Sequence, residues 1–308
     1  MTLSALPLQD AILQTLTYSD IFDYPLTAPE IHRYLIGIPT NLETIRETLT
    51  NVQTTRQIAQ TGEYFTLPGR ECLHEIRARR ADHSARLWPQ ALHYGRRLAG
   101  FPFVRMVAIT GTLAVNNVEH SADVDYFIVT HPGRLWLCRA LIIGLVRVAA
   151  RAGIVLCPNF FLSENALALP DRSLYIAREM TQMIPVAGLE MYQRLRQANR
   201  WVLDYLPNAD GPPPVKIPPT PANPPSKRAL ETILATAPGT ALERWEMNRK
   251  IRKFTAQAPP SNEIRFSAER CQGHFDGYGK RTLEAFEARV GGRRAQVEMR
   301  NSDELGNL

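Results

Sequence analysis

The chain has 308 residues, of which 44% are hydrophobic, and 36 Lys and Arg against 30 Asp and Glu give a formal net charge of +6. This composition excludes wholesale disorder, and the length favours two or three domains. The four scattered cysteines exclude a disulfide scaffold, and Cys271-x-x-His274 has no second ligand pair with which to form a zinc site.

The sequence shows no signal for secretion or membrane insertion. The first basic residue is Arg33, so no charged segment opens a signal peptide. The apolar run 140–146 lies between two arginines and is much shorter than the roughly 20 residues of a membrane span. We therefore expect a cytoplasmic protein without a membrane span.

Residues 1–69 are predicted to form three helices followed by a hairpin. Apolar residues recur at helical spacing over 8–16, Thr27 and Glu30 have the spacing of a capping box, and Asn41 is placed to cap a third helix. The segment 57–67 alternates as two short strands around a Thr-Gly turn. This pattern resembles a winged helix-turn-helix module.

The charge of this module argues against DNA binding. Residues 1–69 carry a net charge of −4, and the segment that corresponds to a recognition helix holds Arg46 between Glu43 and Glu47. A helix that reads DNA is expected to be basic, because neutralisation of phosphates dominates affinity. We therefore predict a packing or protein-contact role.

Residues 70–100 are predicted to be a helical connector with seven arginines and a net charge of +4. Two interpretations remain open: a solvated amphipathic helix, or a basic ridge that faces phosphates.

The pattern that indicates chemistry begins at residue 104. A strand-like run over 104–109 ends at Gly111-Thr112, a short helical turn follows, and Asp123 and Asp125 open a second strand-like run. Alternate residues of a strand point to one side, so the two carboxylates project together. Their adjacent negative charges predict a site for a hard divalent cation, which prefers oxygen ligands. Gly111 permits close approach of a ligand, and the hydroxyl of Thr112 is suited to phosphate.

Gly111-Thr112 followed by Asp123-Val-Asp125 resembles the Gly-Ser and Asp-x-Asp signature of the DNA polymerase beta superfamily of nucleotidyltransferases. The resemblance implies that Asp123 and Asp125 hold Mg²⁺ or Mn²⁺ and that Gly111 and Thr112 hold the triphosphate. It implies transfer of a nucleoside monophosphate from a nucleoside triphosphate to an acceptor, which is a protein, RNA or small molecule. It also extends to bacterial nucleotidyltransferase-domain proteins with an N-terminal winged-helix-like region.

The third carboxylate that this superfamily carries on the next core strand is not evident. The candidate strand 154–163 contains neither Asp nor Glu; Asn159 occupies the corresponding position, and Glu164 lies just beyond as a reserve base. Three possibilities follow: Glu164 acts as the base, no protein base is needed, or the domain only binds nucleotide. His120, next to the pair, is interpreted as a turn residue. Arg178 is a candidate to contact a triphosphate, but the interpretation that we favour is a surface partner of Glu179.

The segment 207–225 holds nine prolines and is predicted to be a linker or an extended strap. It separates a nucleotidyltransferase-like domain, 101–206, from a basic tail, 226–308, with helices predicted over 241–254 and 267–289.

The expected fold class is α/β, with a small mixed sheet between a winged-helix-like module and a helical tail. The expected function is metal-dependent nucleotidyl transfer with Asp123, Asp125, Asn159 and Glu164 as catalytic candidates. The alternative is a non-catalytic nucleotide-binding regulator whose N-terminal module contacts protein or DNA.

Overall fold

The structure is a computed structural model that describes residues 7–54, 56–119, 123–151, 153–215, 225–257, 264–273 and 277–305, with side chains described except at 52–54 and 293–305. His120, His274 and residues 216–224 of the proline-rich segment therefore lie outside the described residues. Within the described ranges the fold is mixed α/β, as expected from the sequence, with a six-stranded mixed sheet and a three-stranded antiparallel sheet.

The N-terminal module contains three helices and three short strands. In chain order these are α1 (Leu8–Asp20), β1 (Leu26–Thr27), α2 (Ala28–Tyr34), α3 (Leu42–Thr54), β2 (Ala59–Thr61) and β3 (Tyr64–Thr66). The predicted caps are present: Thr27 and Glu30 form a capping box, and Asn41 Oδ1 accepts the Thr44 backbone N–H at 2.9 Å. The wing, β2 and β3, pairs antiparallel with β1, which sequence analysis did not anticipate.

The predicted connector is a single helix, α4 (Leu73–Ala99). Its arginines are not all exposed to solvent, and some of them bind acceptors of the N-terminal module instead of forming an unpaired basic surface. Arg77 is only 8% exposed and pairs with Glu30 at 2.6 Å, and Arg80 donates to the carbonyl of Phe22 at 3.0 Å. These contacts bind the N-terminal module to the rest of the chain.

The central region follows the predicted order of elements, with one additional strand. The elements are β4 (Val104–Ile109), α5 (Gly111–Ala114), β5 (Val124–Thr130), α6 (Leu135–Arg151), β6 (Leu156–Ser163), α7 (Leu174–Gln182), β7 (Ile184–Ala187), α8 (Leu189–Ala198) and α9 (Val202–Tyr205). Helices α8 and α9 are separate, and between them the Asn199 side chain donates to the carbonyls of Leu167 and Leu195.

The region after the prolines joins the central sheet. Its elements are α10 (Pro225–Leu234), α11 (Ala237–Gln257), β8 (Ile264–Phe266), β9 (Arg270–Gly273) and α12 (Tyr278–Leu305). The expectation of one helix over 267–289 is wrong at its start, because β9 pairs antiparallel with β6. Cys271 lies opposite Phe161 and is buried, so this strand covers an edge of β6 that would otherwise expose backbone groups.

The sheet has the strand order β7-β4-β5-β6-β9-β8, with β5 and β6 parallel and the other neighbours antiparallel. Alternation along β5 divides the core into two layers. Tyr126 and Ile128 face a cluster with residues of α4 and α6, whereas Phe127 and Val129 face a cluster with residues of α1, α7 and α8. Asp125 has the same parity as Phe127, so it opens the second face. No described helix is long and apolar enough to cross a membrane.

Candidate functional site

The Gly-Thr turn and the Asp-x-Asp strand meet in the structure. Gly111 has a left-handed φ of +66°, and a β-carbon built there would lie 2.3 Å from Oδ2 of Asp125. The backbone N–H of Thr110 donates to the carbonyl of Asp125 at 3.1 Å, which fixes the turn against the first residues of β5. Only glycine permits both the positive φ and this close approach. The sequence therefore placed Gly111, Thr112 and Asp125 correctly at one location.

Asp123 and Asp125 lie at the start of β5, and a third potential ligand comes from β6. One ligand atom each of Asp123, Asp125 and Cys157 lies within 4.8 Å of the other two. The register of the parallel pair explains this, because Asp125 is directly opposite Cys157. Sequence analysis did not select Cys157, although it lies in the candidate strand 154–163, and pairing this strand with the Asp123–Asp125 strand would have indicated it.

Asn159 is also brought to the site, where its side chain contacts both Asp125 and Cys157. Its side-chain N–H donates to Oδ1 of Asp125 at 2.5 Å, and its Oδ1 accepts from the thiol of Cys157 at 2.6 Å. The amide thus orients the carboxylate and the thiol, and it does not present its carbonyl oxygen beside Asp125. Cys157 thus adds a potential ligand atom beside the two aspartates, and the metal-site role of Asn159 stays a prediction.

Glu164 is not brought to the site, so its proposed role as a reserve base is wrong. It follows the last residue of β6, whereas Cys157 lies near the first, and seven residues of extended chain span about 20 Å. Its carboxylate contacts Arg194 at 3.4 Å, and its backbone N–H donates to Thr130 at the far end of β5.

The carboxylate that does reach the site is Glu179, on α7. It accepts the side-chain N–H of Gln182 at 2.7 Å, and the backbone N–H of Gly111 is near enough to lower its pKa. Sequence analysis assigned Glu179 to a surface ion pair with Arg178. That interpretation is wrong, because α7 covers the second face of the sheet and Arg178 is only 6% exposed. No local sequence pattern indicates that α7, which follows β6, lies close to Gly111.

The acidic groups are crowded and poorly hydrated. Burial, together with the neighbouring Asp123 and Glu179, raises the pKa of Asp125 to about 7. Burial also raises the pKa of Glu179 to about 7, although Arg178 and the Gly111 N–H act in the opposite direction. Burial and the two aspartates raise the pKa of Cys157 to about 12. A divalent cation bound beside these groups would favour the ionised form of each of them.

A cavity of about 1550 Å³ opens over this group. Its walls come from the Gly111 turn, the starts of β5 and of α12, the end of α1, and α7. The stacked rings of Phe127 and Phe160, 4.5 Å apart, line it beside the carboxylates. Thr112 is exposed and also lines the cavity.

The N-terminal module contacts the loop that connects the two halves of the site. In its described part, 115–119, the Tyr24 hydroxyl donates to the carbonyl of Val115 at 2.7 Å. The Asn117 side-chain N–H donates to the carbonyl of Phe22 at 3.2 Å. The module therefore serves as a packing partner of the site.

The predicted recognition helix, α3, turns a mixed-charge face to solvent. Glu43, Arg46 and Glu47 are all exposed. The acidic side chains flank the arginine on the surface where a DNA-reading helix would need positive charge.

Comparisons with protein-family models, with curated proteins and with solved structures found no match for this chain.

Proposed function

We propose that the protein is a divalent-metal-dependent nucleotidyltransferase that transfers a nucleoside monophosphate from a nucleoside triphosphate to an acceptor hydroxyl. The observation that carries this proposal is the contact between the Gly111 turn and the carboxylate of Asp125, beside Asp123 and Cys157. A phosphate-binding turn and a cation-binding pair are useful together only for a ligand that carries both phosphate and metal.

The residues present fit a divalent cation. Two carboxylates and a thiol offer three donors within 4.8 Å, and burial together with the neighbouring Asp123 and Glu179 raises the pKa of Asp125, an effect that a bound cation would oppose. The cation, Mg²⁺ or Mn²⁺, would neutralise charge on the phosphates when bound. The thiol is a softer donor than Mg²⁺ prefers, so both cations are relevant to any assay.

Each residue has a role in this scheme. Asp123 and Asp125 hold the cation, and Gly111 and Thr112 orient the triphosphate. Glu179 takes the proton of the acceptor hydroxyl, since a carboxylate with a pKa of about 7 suits a general base at neutral pH. The acceptor oxygen bonds to the α-phosphorus, the bond from that phosphorus to the bridging oxygen breaks, and pyrophosphate leaves.

The test is pyrophosphate release from a panel of nucleoside triphosphates with Mg²⁺ or Mn²⁺ and a broad set of acceptors. We expect Asp123→Asn and Asp125→Asn each to lower turnover by about two orders of magnitude or more. Glu179→Gln should remove the rise in rate with pH near 7. Glu164→Gln is the matched control, because this carboxylate lies at the other end of β6, and it should keep wild-type turnover.

One observation favours a second function, a nucleotide-binding regulator without catalysis. The third strand supplies a thiol and an amide at the position where the resemblance implies a carboxylate. Binding of nucleotide without pyrophosphate release across the whole panel would support this alternative. Turnover that both aspartate variants abolish would exclude it.

A further inference from the structure

A buried arginine of the cavity wall has a cationic side chain that the protein only partly satisfies. Arg178 lies on α7, immediately before Glu179, and lines the cavity although the residue is only 6% exposed. Its buried Nε has no hydrogen-bond partner among the described residues. Such a donor is costly to leave unpaired, because removing a charged group from water requires compensation.

Two other arginines on this side of the sheet show how backbone carbonyls bind a guanidinium group. Arg196 donates to the carbonyls of Met180 and Ala209, at 3.1 and 2.7 Å. Arg33 donates to the carbonyls of Thr181 and Gly211, at 2.9 and 3.0 Å. The terminal nitrogens of each group donate to two backbone carbonyls, although Arg33 Nε is unpaired as Arg178 Nε is. Arg178 differs because it makes no such carbonyl contact among the described residues.

Aromatic rings hold the Arg178 guanidinium in place. Its central carbon lies 3.7 Å from the ring centroid of Tyr34 and 5.3 Å from that of Tyr18. Both tyrosines belong to the N-terminal module. Stacking of this kind fixes the plane of a guanidinium and leaves its N–H edge available to an acceptor. Glu179, the neighbouring carboxylate, is already occupied by Gly111 and Gln182.

We infer that Arg178 is a phosphate-binding residue of this cavity and that Tyr34 and Tyr18 of the N-terminal module position it. The inference rests on the proposed function for its ligand, an anion that enters a cavity containing the Gly111 turn. A planar guanidinium with several N–H donors matches the oxygens of a phosphate group. The phosphate belongs either to the nucleotide or to the acceptor, and the experiment distinguishes these sources.

The test measures binding of two probes, inorganic tripolyphosphate and inorganic phosphate, to the full chain in Mg²⁺ by isothermal titration calorimetry. Tripolyphosphate represents the nucleotide, and phosphate represents a single phosphoryl group on the acceptor. We expect Arg178→Gln to weaken binding of tripolyphosphate about 10- to 100-fold, as for loss of a charge-assisted hydrogen bond. Arg178→Lys should keep an intermediate affinity. A loss confined to inorganic phosphate would assign Arg178 to the acceptor.

Arg196→Gln is the control for loss of a buried arginine on this side of the sheet, since Arg196 does not line the cavity. It should lower thermal stability and leave both affinities within about twofold of wild type.

Tyr34→Leu should weaken tripolyphosphate binding when residue 178 is the wild-type arginine and should have no further effect in the Arg178→Gln variant. This non-additivity would show that the ring acts through the guanidinium.

Three results would overturn the inference: wild-type affinity of Arg178→Gln for both probes, an equal loss in Arg196→Gln, or no binding of either probe to the wild-type chain. The proposed function fails by a different readout, the absence of pyrophosphate release. Tripolyphosphate binding that depends on Arg178, without any turnover, would uphold the inference and reject the enzyme.

Discussion

Replacing Gly111 by alanine adds one methyl group at the contact between the turn and the carboxylate pair. The new β-carbon would lie 2.3 Å from Oδ2 of Asp125, about 1.1 Å short of the 3.4 Å at which ordinary van der Waals contact begins. The strand backbone is fixed by pairing on both sides, so the Asp125 side chain has to rotate away. This rotation moves Oδ2 of Asp125, a potential ligand atom, away from Asp123 and Cys157.

The free-energy change has two parts. A left-handed backbone costs alanine about 1–2 kcal/mol. Forcing Asp125 away from its rotamer adds about 0.5–1.5 kcal/mol. Gly133 is a matched control, because its φ of +64° is nearly the same and nothing lies within 4 Å of its β-position. We therefore expect Gly111→Ala to be less stable than Gly133→Ala by about 0.5–1.5 kcal/mol.

Urea unfolding measures the stability of the two variants, and calorimetric titration with Mn²⁺ measures their affinity for the cation. Gly111→Ala should weaken Mn²⁺ binding about tenfold or more, whereas Gly133→Ala should bind as the wild type does. Equal stability and equal Mn²⁺ affinity of the two variants would refute the reasoning, since the backbone strain is common to both and only the collision differs.

Three further predictions concern the electrostatics of the chain. The pKa of Asp125 is raised to about 7 in the folded protein, so protonation of this carboxylate favours the folded state. The contribution of Asp125 to the stability of the metal-free protein therefore falls as the pH rises from about 4 to about 7. Asp125→Asn should then be more stable than wild type at pH 8 in EDTA, by about 1–2 kcal/mol in urea unfolding, and a lower stability would contradict the assignment. Glu30→Gln should cost about 3–5 kcal/mol, because it leaves Arg77 buried and unpaired, whereas Glu119→Gln, whose side chain is 73% exposed, should cost less than about 1 kcal/mol. The full chain should show no binding to duplex DNA by fluorescence anisotropy even at low salt, and affinity that falls steeply with salt would restore a DNA-binding role.

Local patterns predicted much of the site. Gly111, Thr112, Asp123 and Asp125 lie within fifteen residues of chain, and strand alternation and a positive φ are local properties. The same holds for the cap at Thr27, where the spacing alone identified the start of a helix. These features were predictable because the residues that interact are close in sequence.

The partners from distant parts of the chain were not predictable in this way. Cys157 joins the aspartates through strand register, Glu179 through the packing of a helix on the sheet, and Arg178 through rings that lie more than 140 residues earlier. The strand β9 was read as helix, because its sequence has weak strand character and the unpaired edge of β6 supplies its pairing.

The net charge of +6 is likewise explained partly by the sequence and partly by the tertiary structure. The sequence alone determined that the N-terminal module is acidic and that the positive charge lies in the connector and the tail. Only the tertiary structure decided where that charge goes: Arg77 of the connector is buried against Glu30, and Lys227 of the tail is buried and donates to the carbonyls of Ala99 and Val104. The composition counts charges, whereas burial and partners, which depend on contacts between distant segments, determine what each charge does.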